Sequence, residues 1–191
     1  WVSPAGNLYA STIARLSPND PSPATLAFVA GLAAHDTIKL VAPDIAIQLK
    51  WPNDVLSANG RKLCGILLER AGDAIIAGFG INLVWHPANI GRPVSDLRAL
   101  GGNPPEAQAV CEVLAEQFAS WLQKWRQQPL ANLLRAWEAA AHPKGTALRV
   151  NLPDGEQVDG LFAGLGDDGA LSLRLADGAI RAIHAADIFP I

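Results

Sequence analysis

Two apolar runs joined by a short polar link constrain the fold of this chain most strongly. The runs KLCGILLE (62–69) and AIIAGFGINL (74–83) have the composition of β-strands, and the link at 71–73 contains a glycine. Only antiparallel strands can be joined by so few residues, because a parallel return needs a dozen or more. The Asn-Gly pair in SANG (57–60) favours positive φ and predicts a second hairpin. We therefore expect a largely antiparallel core sheet.

Further strands and helices are predicted on both sides of these hairpins. We predict a strand over 7–16, a helix over 24–41 with Pro23 in its first turn and Ser22 as its cap, a strand over 45–50, one short helix within 86–105, an amphipathic helix from Glu106 that ends at Pro129, and another helix after it. The tryptophans at helical spacing in the last two helices are interpreted as core residues.

The pattern changes after HPKG (142–145). Short alternating strands follow, separated by PDG, GDDG and ADG turns, which is typical of small β-barrels. Their inward faces are predicted to carry Leu148, Val150 and Leu152 and then Leu171, Leu173 and Leu175. We place a domain boundary here, between residues 1–143 and residues 144–191, and interpret the second part as a docking module or a lid.

The composition excludes several function classes. The net charge of -3 and the pI near 5.8 provide no basic field for a phosphate backbone, so nucleic-acid binding by this portion is not expected. No run reaches the roughly 18 to 20 apolar residues of a membrane span, so we expect a cytoplasmic protein without a membrane partner. Cys64 and Cys111 show no metal-ligand spacing. The chain lacks methionine, so we expect a segment before Trp1.

A polar cluster interrupts the apolar pattern of the first hairpin. The stretch KWPNDVLSANGRKLCGILLE (50–69) carries Lys50, Asn53, Asp54 and Lys62. A charge buried without a partner costs several kcal/mol, so these groups must be paired or at the surface. The hairpin places Asp54 and Lys62 on its two arms, where they can face a common ligand. The alternative is a solvated hairpin end with an Asx-turn from Asn53 or Asp54.

Two glycines in GFGIN (78–82) provide a second signal. Glycines at alternate positions of a strand weaken a sheet and usually mean that a backbone or a ligand approaches closely. No third glycine follows at the spacing of a dinucleotide fingerprint, so that kind of site is not predicted.

Taken together, KWPND (50–54), KLCGIL (62–67), GFGINL (78–83) and the leading WVSPAGNLYAS closely resemble the biotin protein ligases. The resemblance continues thinly through RAWEA (135–139) and again in the C-terminal barrel. It implies an α+β fold with a mixed sheet and helices on one side, like the catalytic core of class II aminoacyl-tRNA synthetases, followed by an SH3-like barrel. It also implies an enzyme that activates biotin with ATP and Mg²⁺ to biotinoyl-5'-AMP and transfers the biotinoyl group to one lysine of a biotin carboxyl carrier protein.

The resemblance assigns the chemistry to two residues. Lys62 matches the catalytic lysine, whose ammonium offsets the repulsion between the biotin carboxylate and the ATP α-phosphate. Asp54 matches the acidic residue of KWPND, which either holds Mg²⁺ or receives the proton of the target lysine. The substrate- and nucleotide-binding residues that the resemblance implies are Trp1, Asn7, Asn53, Gly65, Gly80 and Asn82. No tightly bound cofactor is expected.

The family's Ser-Thr-Asn segment and Gly-Arg-rich loop have no counterpart from Trp1 onward. We therefore expect the chain that begins at Trp1 not to biotinylate by itself. The resemblance allows a homodimer. It leaves open a biotin-responsive transcriptional repressor, which would bind nucleic acid only through a preceding DNA-binding domain. A lipoate or octanoate ligase also remains open, although the KWPND motif argues against it.

Overall fold

The computed structural model describes residues 3–88 and 91–191. In chain order, the described elements are β1 (Leu8–Arg15), a 3₁₀ turn (Pro23–Thr25), α1 (Leu26–Val41), β2 (Ile47–Lys50), β3 (Asp54–Ser57), β4 (Lys62–Ala71), β5 (Ala74–Ile81), α2 (Ala107–Gln127), α3 (Leu130–Ala140), β6 (Ala147–Asn151), β7 (Gln157–Leu165), β8 (Leu171–Arg174), β9 (Ile180–Ile183) and β10 (Asp187–Pro190).

The first five strands form one sheet in the order β1-β5-β4-β3-β2. Every neighbouring pair of these strands is antiparallel, and both predicted hairpins are present. Within the described residues, the parallel pairing of a mixed sheet is limited to two single bridges, Leu49–Ala141 and Lys62–Val94.

The three α-helices of the described residues lie on one face of this sheet, as the α+β prediction requires. α1 packs against β2, β3 and β4, α2 packs against β1, and both α2 and α3 pack against α1. The strand residues that face the helices are apolar and buried, for example Ile66 and Phe79, and Phe79 meets Phe118 of α2 edge-on. The opposite face of the sheet carries exposed side chains such as Tyr9, Ile13 and Leu67. The sheet therefore has one covered face and one open face.

The C-terminal strands form a second antiparallel sheet in the order β10-β6-β7-β8-β9. Its core contains four of the six predicted inward residues as fully buried side chains, and Leu152 and Leu175 pack at its margin. Glu138 of α3 connects this sheet to the helices, because its carboxylate accepts a hydrogen bond from the Leu165 amide at 2.6 Å and pairs with Lys144 at 3.0 Å. The boundary near residue 144 remains a prediction, and β6 begins at Ala147.

Two local predictions were wrong. The Ser22 side chain does not cap the following helix; instead the Thr25 hydroxyl donates to the Ser22 carbonyl at 2.6 Å, because the chain enters the helix through a 3₁₀ turn. The described part of 86–105 contains turns but no helix. There Asp96 accepts a hydrogen bond from the Ala99 amide, as a helix N-cap residue does. The turn ends at once, because Gly101 adopts a positive φ of 88° and Gly102 follows it.

The segment Pro23–Val41 is long and apolar enough to cross a membrane by length and composition. However, 61% of its apolar window is buried inside the protein. It is packed as the central helix of the core, against the sheet and both other helices.

Candidate active site

The backbone register aligns several of the predicted residues in one row across the sheet. Lys50 pairs with Asp54, Asp54 with Gly65, Gly65 with Gly80, and Gly80 with Tyr9. Directly opposed residues of a sheet point to the same face, which here is the open one. The row therefore has charged groups at one end, two glycines in the middle and an aromatic side chain at the other end.

A β-bulge brings Lys62 to the same face. Residues of a strand alternate between faces, so positions 62 and 65, three apart, should point in opposite directions. The β3–β4 register shifts between Val55 and Leu56, because Val55 faces Cys64 whereas Leu56 already faces Lys62. The extra residue, Leu63, is fully buried in the core. The bulge thus re-aims Lys62 onto the open face, where it forms an ion pair with Asp54.

Asp54 lies between two ammonium groups. Its Oδ1 contacts Lys62, and its Oδ2 lies 3.5 Å from Lys50 Nζ. The Asp54 side chain is 9% exposed, and both lysine side chains are mostly buried. The two ammonium groups compensate the negative charge of the buried carboxylate, and the three side chains together carry one excess positive charge. This arrangement suits the binding of an anionic ligand.

The same geometry does not favour a Mg²⁺ ion held by the protein alone. Both oxygens of Asp54 already face ammonium groups, and no cluster of three or more candidate ligands is found among the described residues. Protein-bound Mg²⁺ commonly takes most of its ligands from substrate phosphates and water. The arrangement suits Mg²⁺ that enters with the nucleotide, and Asp54 as a metal ligand remains a prediction.

The Lys62 side chain lies over Gly65 on the open face of the sheet. A Cβ added at Gly65 would lie 3.0 Å from Lys62 Cε and 3.1 Å from Lys62 Nζ, which is tighter than ordinary contacts. A Cβ added at Gly78, farther along the open face, would meet nothing closer than the Ser11 hydroxyl at 3.6 Å. A glycine at position 65 thus makes room for the Lys62 side chain.

A cleft of about 900 Å³ covers the open face. This volume is in the range of small-molecule sites. Its lining includes Tyr9, Ser11, Lys62, Gly65, Leu67, Glu69, Gly78, Gly80, Asn82, Trp85, Arg92 and Val94. The floor is glycine-rich and apolar, the Lys62 ammonium lies at one end, and Arg92 adds a second cation. An elongated acid with an apolar chain and an anionic end fits such a lining.

The three predicted asparagines make specific protein contacts. Asn7 holds the segment after β5, since its Oδ1 accepts from the amides of Leu83, Val84 and Trp85 at 3.0–3.2 Å and its Nδ2 donates to the Trp85 carbonyl at 2.8 Å. Asn53 Nδ2 donates to the Ile66 carbonyl at 2.7 Å. These bonds occupy groups that a ligand would otherwise meet, so direct ligand contact by Asn7 and Asn53 remains a prediction.

Asn82 is better placed for a ligand. Its Nδ2 donates to the Ser95 carbonyl at 2.9 Å, which leaves Oδ1 without a hydrogen-bond partner among the described residues, and the side chain lines the cleft. Trp1, predicted as a substrate- or nucleotide-binding residue, lies outside the described residues. Trp85 and Tyr9, which sequence reasoning missed, line the cleft instead. The alternation of 7–16 could have indicated Tyr9 and Ser11 as neighbours on one face, but nothing local indicated Trp85.

The cysteine beside the bulge is not a nucleophile. Cys64 is buried on the helix side of β4, and burial, with a further contribution from the Asp54 charge, raises the pKa of its thiol to about 12. A thiol in that state is inert near neutral pH.

Comparison with known proteins decides the family. The model of the biotin/lipoate A/B protein ligase family matches residues 1–84, and that of the biotin protein ligase C-terminal domain matches residues 149–189. The chain is 34% identical over 201 residues to the biotin–[acetyl-CoA-carboxylase] ligase of Paracoccus denitrificans, with 99% of this chain and 82% of that protein covered. The chain belongs to the biotin protein ligase family.

Two further comparisons agree with this membership. The biotin–[acetyl-CoA-carboxylase] ligase of Mycobacterium tuberculosis is 32% identical over 165 residues, which span 85% of this chain and 61% of that protein. The structure of the biotin protein ligase from Aquifex aeolicus in complex with biotin and ATP superposes with a TM-score of 0.86 at 23% identity, covering all of this chain and 82% of that one. The latter likeness shows the shared fold, including the C-terminal sheet, and confirms the predicted fold class.

Proposed function

We propose that this biotin protein ligase activates biotin with Mg-ATP to biotinoyl-5'-AMP and passes the biotinoyl group to a lysine of a biotin carboxyl carrier domain. The observation that carries the proposal is the bulge that turns Lys62 onto the open face, beside Asp54 and at the end of a glycine-floored cleft. Relatives named for this activity support the choice of biotin and of a carboxylase partner.

The first half-reaction joins two anions. A carboxylate oxygen of biotin attacks the α-phosphorus of ATP, the bond from that phosphorus to the bridging oxygen of the β-phosphate breaks, and pyrophosphate leaves. Negative charge grows on the α-phosphoryl oxygens as this happens. The Lys62 ammonium, mostly shielded from water at the end of the cleft, is placed to offset both the approach of the two anions and the developing charge.

Asp54 serves Lys62 in this step and the acceptor lysine in the next. Its carboxylate contacts the Lys62 ammonium and limits the directions in which it can point. In the second half-reaction, the amine of the carrier lysine attacks the biotinoyl carbonyl carbon, AMP leaves with its phosphate oxygen, and the amine loses a proton. Asp54 is the nearest carboxylate to Lys62 and is the proposed acceptor of that proton.

The experiment compares Lys62→Met with Arg61→Gln in the natural full-length protein. Arg61 is the adjacent cation but is exposed, so its loss controls for a change in net charge. The measurement is biotin-dependent exchange of labelled pyrophosphate into ATP. We expect Lys62→Met to reduce exchange by at least ~100-fold, the scale of one lost transition-state contact, and Arg61→Gln to leave it within about twofold. Equal activity of the two variants would contradict the proposed role of Lys62.

A further inference from the structure

Lys50 connects the proposed active site to the C-terminal sheet. Its ammonium lies 3.5 Å from Asp54 Oδ2 and 5.1 Å from the ring centroid of Phe189 on β10. Asp54 is four residues from Lys50 in the sequence, whereas Phe189 lies near the C-terminus. A lysine side chain that is only 12% exposed has lost most of its hydration, so both contacts determine where its charge sits.

The segment that follows Lys50 is held against the same sheet. Trp51 Nε1 donates to the Gly169 carbonyl, in the β7–β8 turn, at 3.2 Å. Gly169 lies so close to Phe28 of α1 that an added Cβ would come within 2.4 Å of its ring. Leu49, just before Lys50, bridges to Ala141 in the connection to the C-terminal sheet. The Lys50–Trp51 segment is therefore clamped between the core helix and the C-terminal sheet.

We propose that Lys50 is a positioning residue of the adenylation site, and that the Phe189 ring holds its ammonium so that the Asp54 carboxylate keeps Oδ1 turned toward Lys62. This inference rests on the proposed function and deepens it. In this proposal the C-terminal sheet supports catalysis through the Phe189 ring, and is not only a docking module.

The chain of contacts explains why an aromatic ring is needed at position 189. Each carboxylate oxygen of Asp54 contacts one lysine ammonium, so the orientation of the carboxylate is defined only while both ammonium groups stay in place. If the ring face is lost, Lys50 can swing toward solvent past the exposed side of residue 189, which is 40% exposed. Asp54 and Lys62 then gain rotational freedom, and the cost falls on the chemical step more than on substrate binding.

The test uses four single variants and one double variant of the natural full-length protein, with biotin and Mg-ATP as substrates. Phe189→Leu removes the ring but keeps an apolar side chain, and Phe189→Tyr keeps the ring face. Lys50→Met removes the charge at similar volume. Ile180→Ala, at another exposed apolar residue of the same sheet, is the control for unspecific effects. Adenylate formation is measured as kcat and as KM for each substrate.

We expect Phe189→Leu to lower kcat about 10-fold, in keeping with the loss of a shielded cation–π contact, with less than a ~2-fold change in KM. Phe189→Tyr should recover kcat to within about twofold, and Ile180→Ala should match the wild type. In the Lys50→Met background, Phe189→Leu should have no further effect, because the two residues act through one contact. Additive losses in that double variant, or full activity of Phe189→Leu, would overturn the inference.

A spectroscopic readout separates this inference from the proposed function. The Lys50 ε-methylene protons lie near the ring face, so their NMR signals should shift upfield in the wild type and return to ordinary values in Phe189→Leu. An upfield shift with no adenylate formed by the wild type would overturn the proposed function and the catalytic role together. An active wild type without the shift would overturn only the inference about Phe189.

Discussion

The narrow space between Gly65 and Lys62 leads to a sharp prediction for Gly65→Ala. The added methyl would lie 3.0 Å from Lys62 Cε and 3.1 Å from Nζ, whereas ordinary contacts begin near 3.4 Å. The lysine must therefore move by a few tenths of an ångström. Since a misplacement of about 1 Å can cost about 100-fold in rate, a shift of a few tenths of an ångström should lower the kcat for adenylate formation roughly 3- to 10-fold.

The fold should tolerate the same change. The neighbour that must give way is the end of a flexible side chain and not a backbone atom. Replacing a strand glycine also removes conformational freedom from the unfolded chain, which favours the folded state by about 0.4–1 kcal/mol. The melting temperature of Gly65→Ala should therefore equal or slightly exceed that of the wild type, measured by calorimetry alongside single-turnover adenylate formation.

Gly78→Ala is the matched comparison. It adds a methyl group to the same open face, but that group would lie 3.6 Å from the Ser11 hydroxyl and away from Lys62. We expect the added methyl group to reduce the room for the ligand, which should raise KM and leave kcat unchanged. The reasoning is refuted if Gly65→Ala retains kcat within twofold, or if it loses activity together with a fall of several degrees in melting temperature.

Two further predictions follow from shifted ionisation. Burial, with the Asp54 charge, raises the pKa of the Cys64 thiol to about 12. Iodoacetamide at pH 8 should therefore alkylate the partly exposed Cys111 in the native protein and spare Cys64. Modification of both cysteines at an equal rate, measured by mass spectrometry, would contradict this. Burial, and then the Lys50 charge, lower the pKa of His142 below 6.5. The unfolded state therefore binds a proton more readily than the native state, and the free energy of unfolding should fall as the pH drops below about 6.5. Urea titrations should show a weaker fall in His142→Gln.

Much of the first sheet could be predicted because its signals are local. The link at 71–73 and the Asn-Gly pair at 59–60 lie inside the hairpins that they close, and Gly60 adopts the expected positive φ of 78°. The amphipathic stripe from Glu106 and the break at Pro129 likewise depend on neighbouring residues only. These elements were confirmed with small shifts of their ends.

The bulge could not be predicted from the alternation of β4. Counting by two places Lys62 and Gly65 on opposite faces, and only the pairing with β3 reveals the extra residue. The proximity of Lys62 and Asp54 was expected from the hairpin, but their ion pair, and the second ammonium from Lys50, depend on that register.

Contacts between residues that are distant in the sequence could not be predicted either, because local patterns carry no information about tertiary pairing. Asn7 as a substrate- or nucleotide-binding residue stays a prediction. Nothing near it in the sequence indicates that its amide holds the segment 83–85, which lies more than seventy residues later in the chain. Nothing near Lys50 indicates that a ring from the last strand lies beside it. The site residues that the motif implies stay predictions, and only the tertiary fold determines what each of them contacts.

The most direct test of the central claim is mass spectrometry of the small molecules formed when the natural full-length protein is mixed with Mg-ATP and equal amounts of biotin, lipoate and octanoate. The arrangement of Lys62 and Asp54 at the end of the cleft, together with the family of the chain, predicts biotinoyl-AMP as the one adenylate formed. Lipoyl- or octanoyl-AMP as the main product would contradict the choice of acid. The absence of any adenylate would contradict the activation chemistry itself.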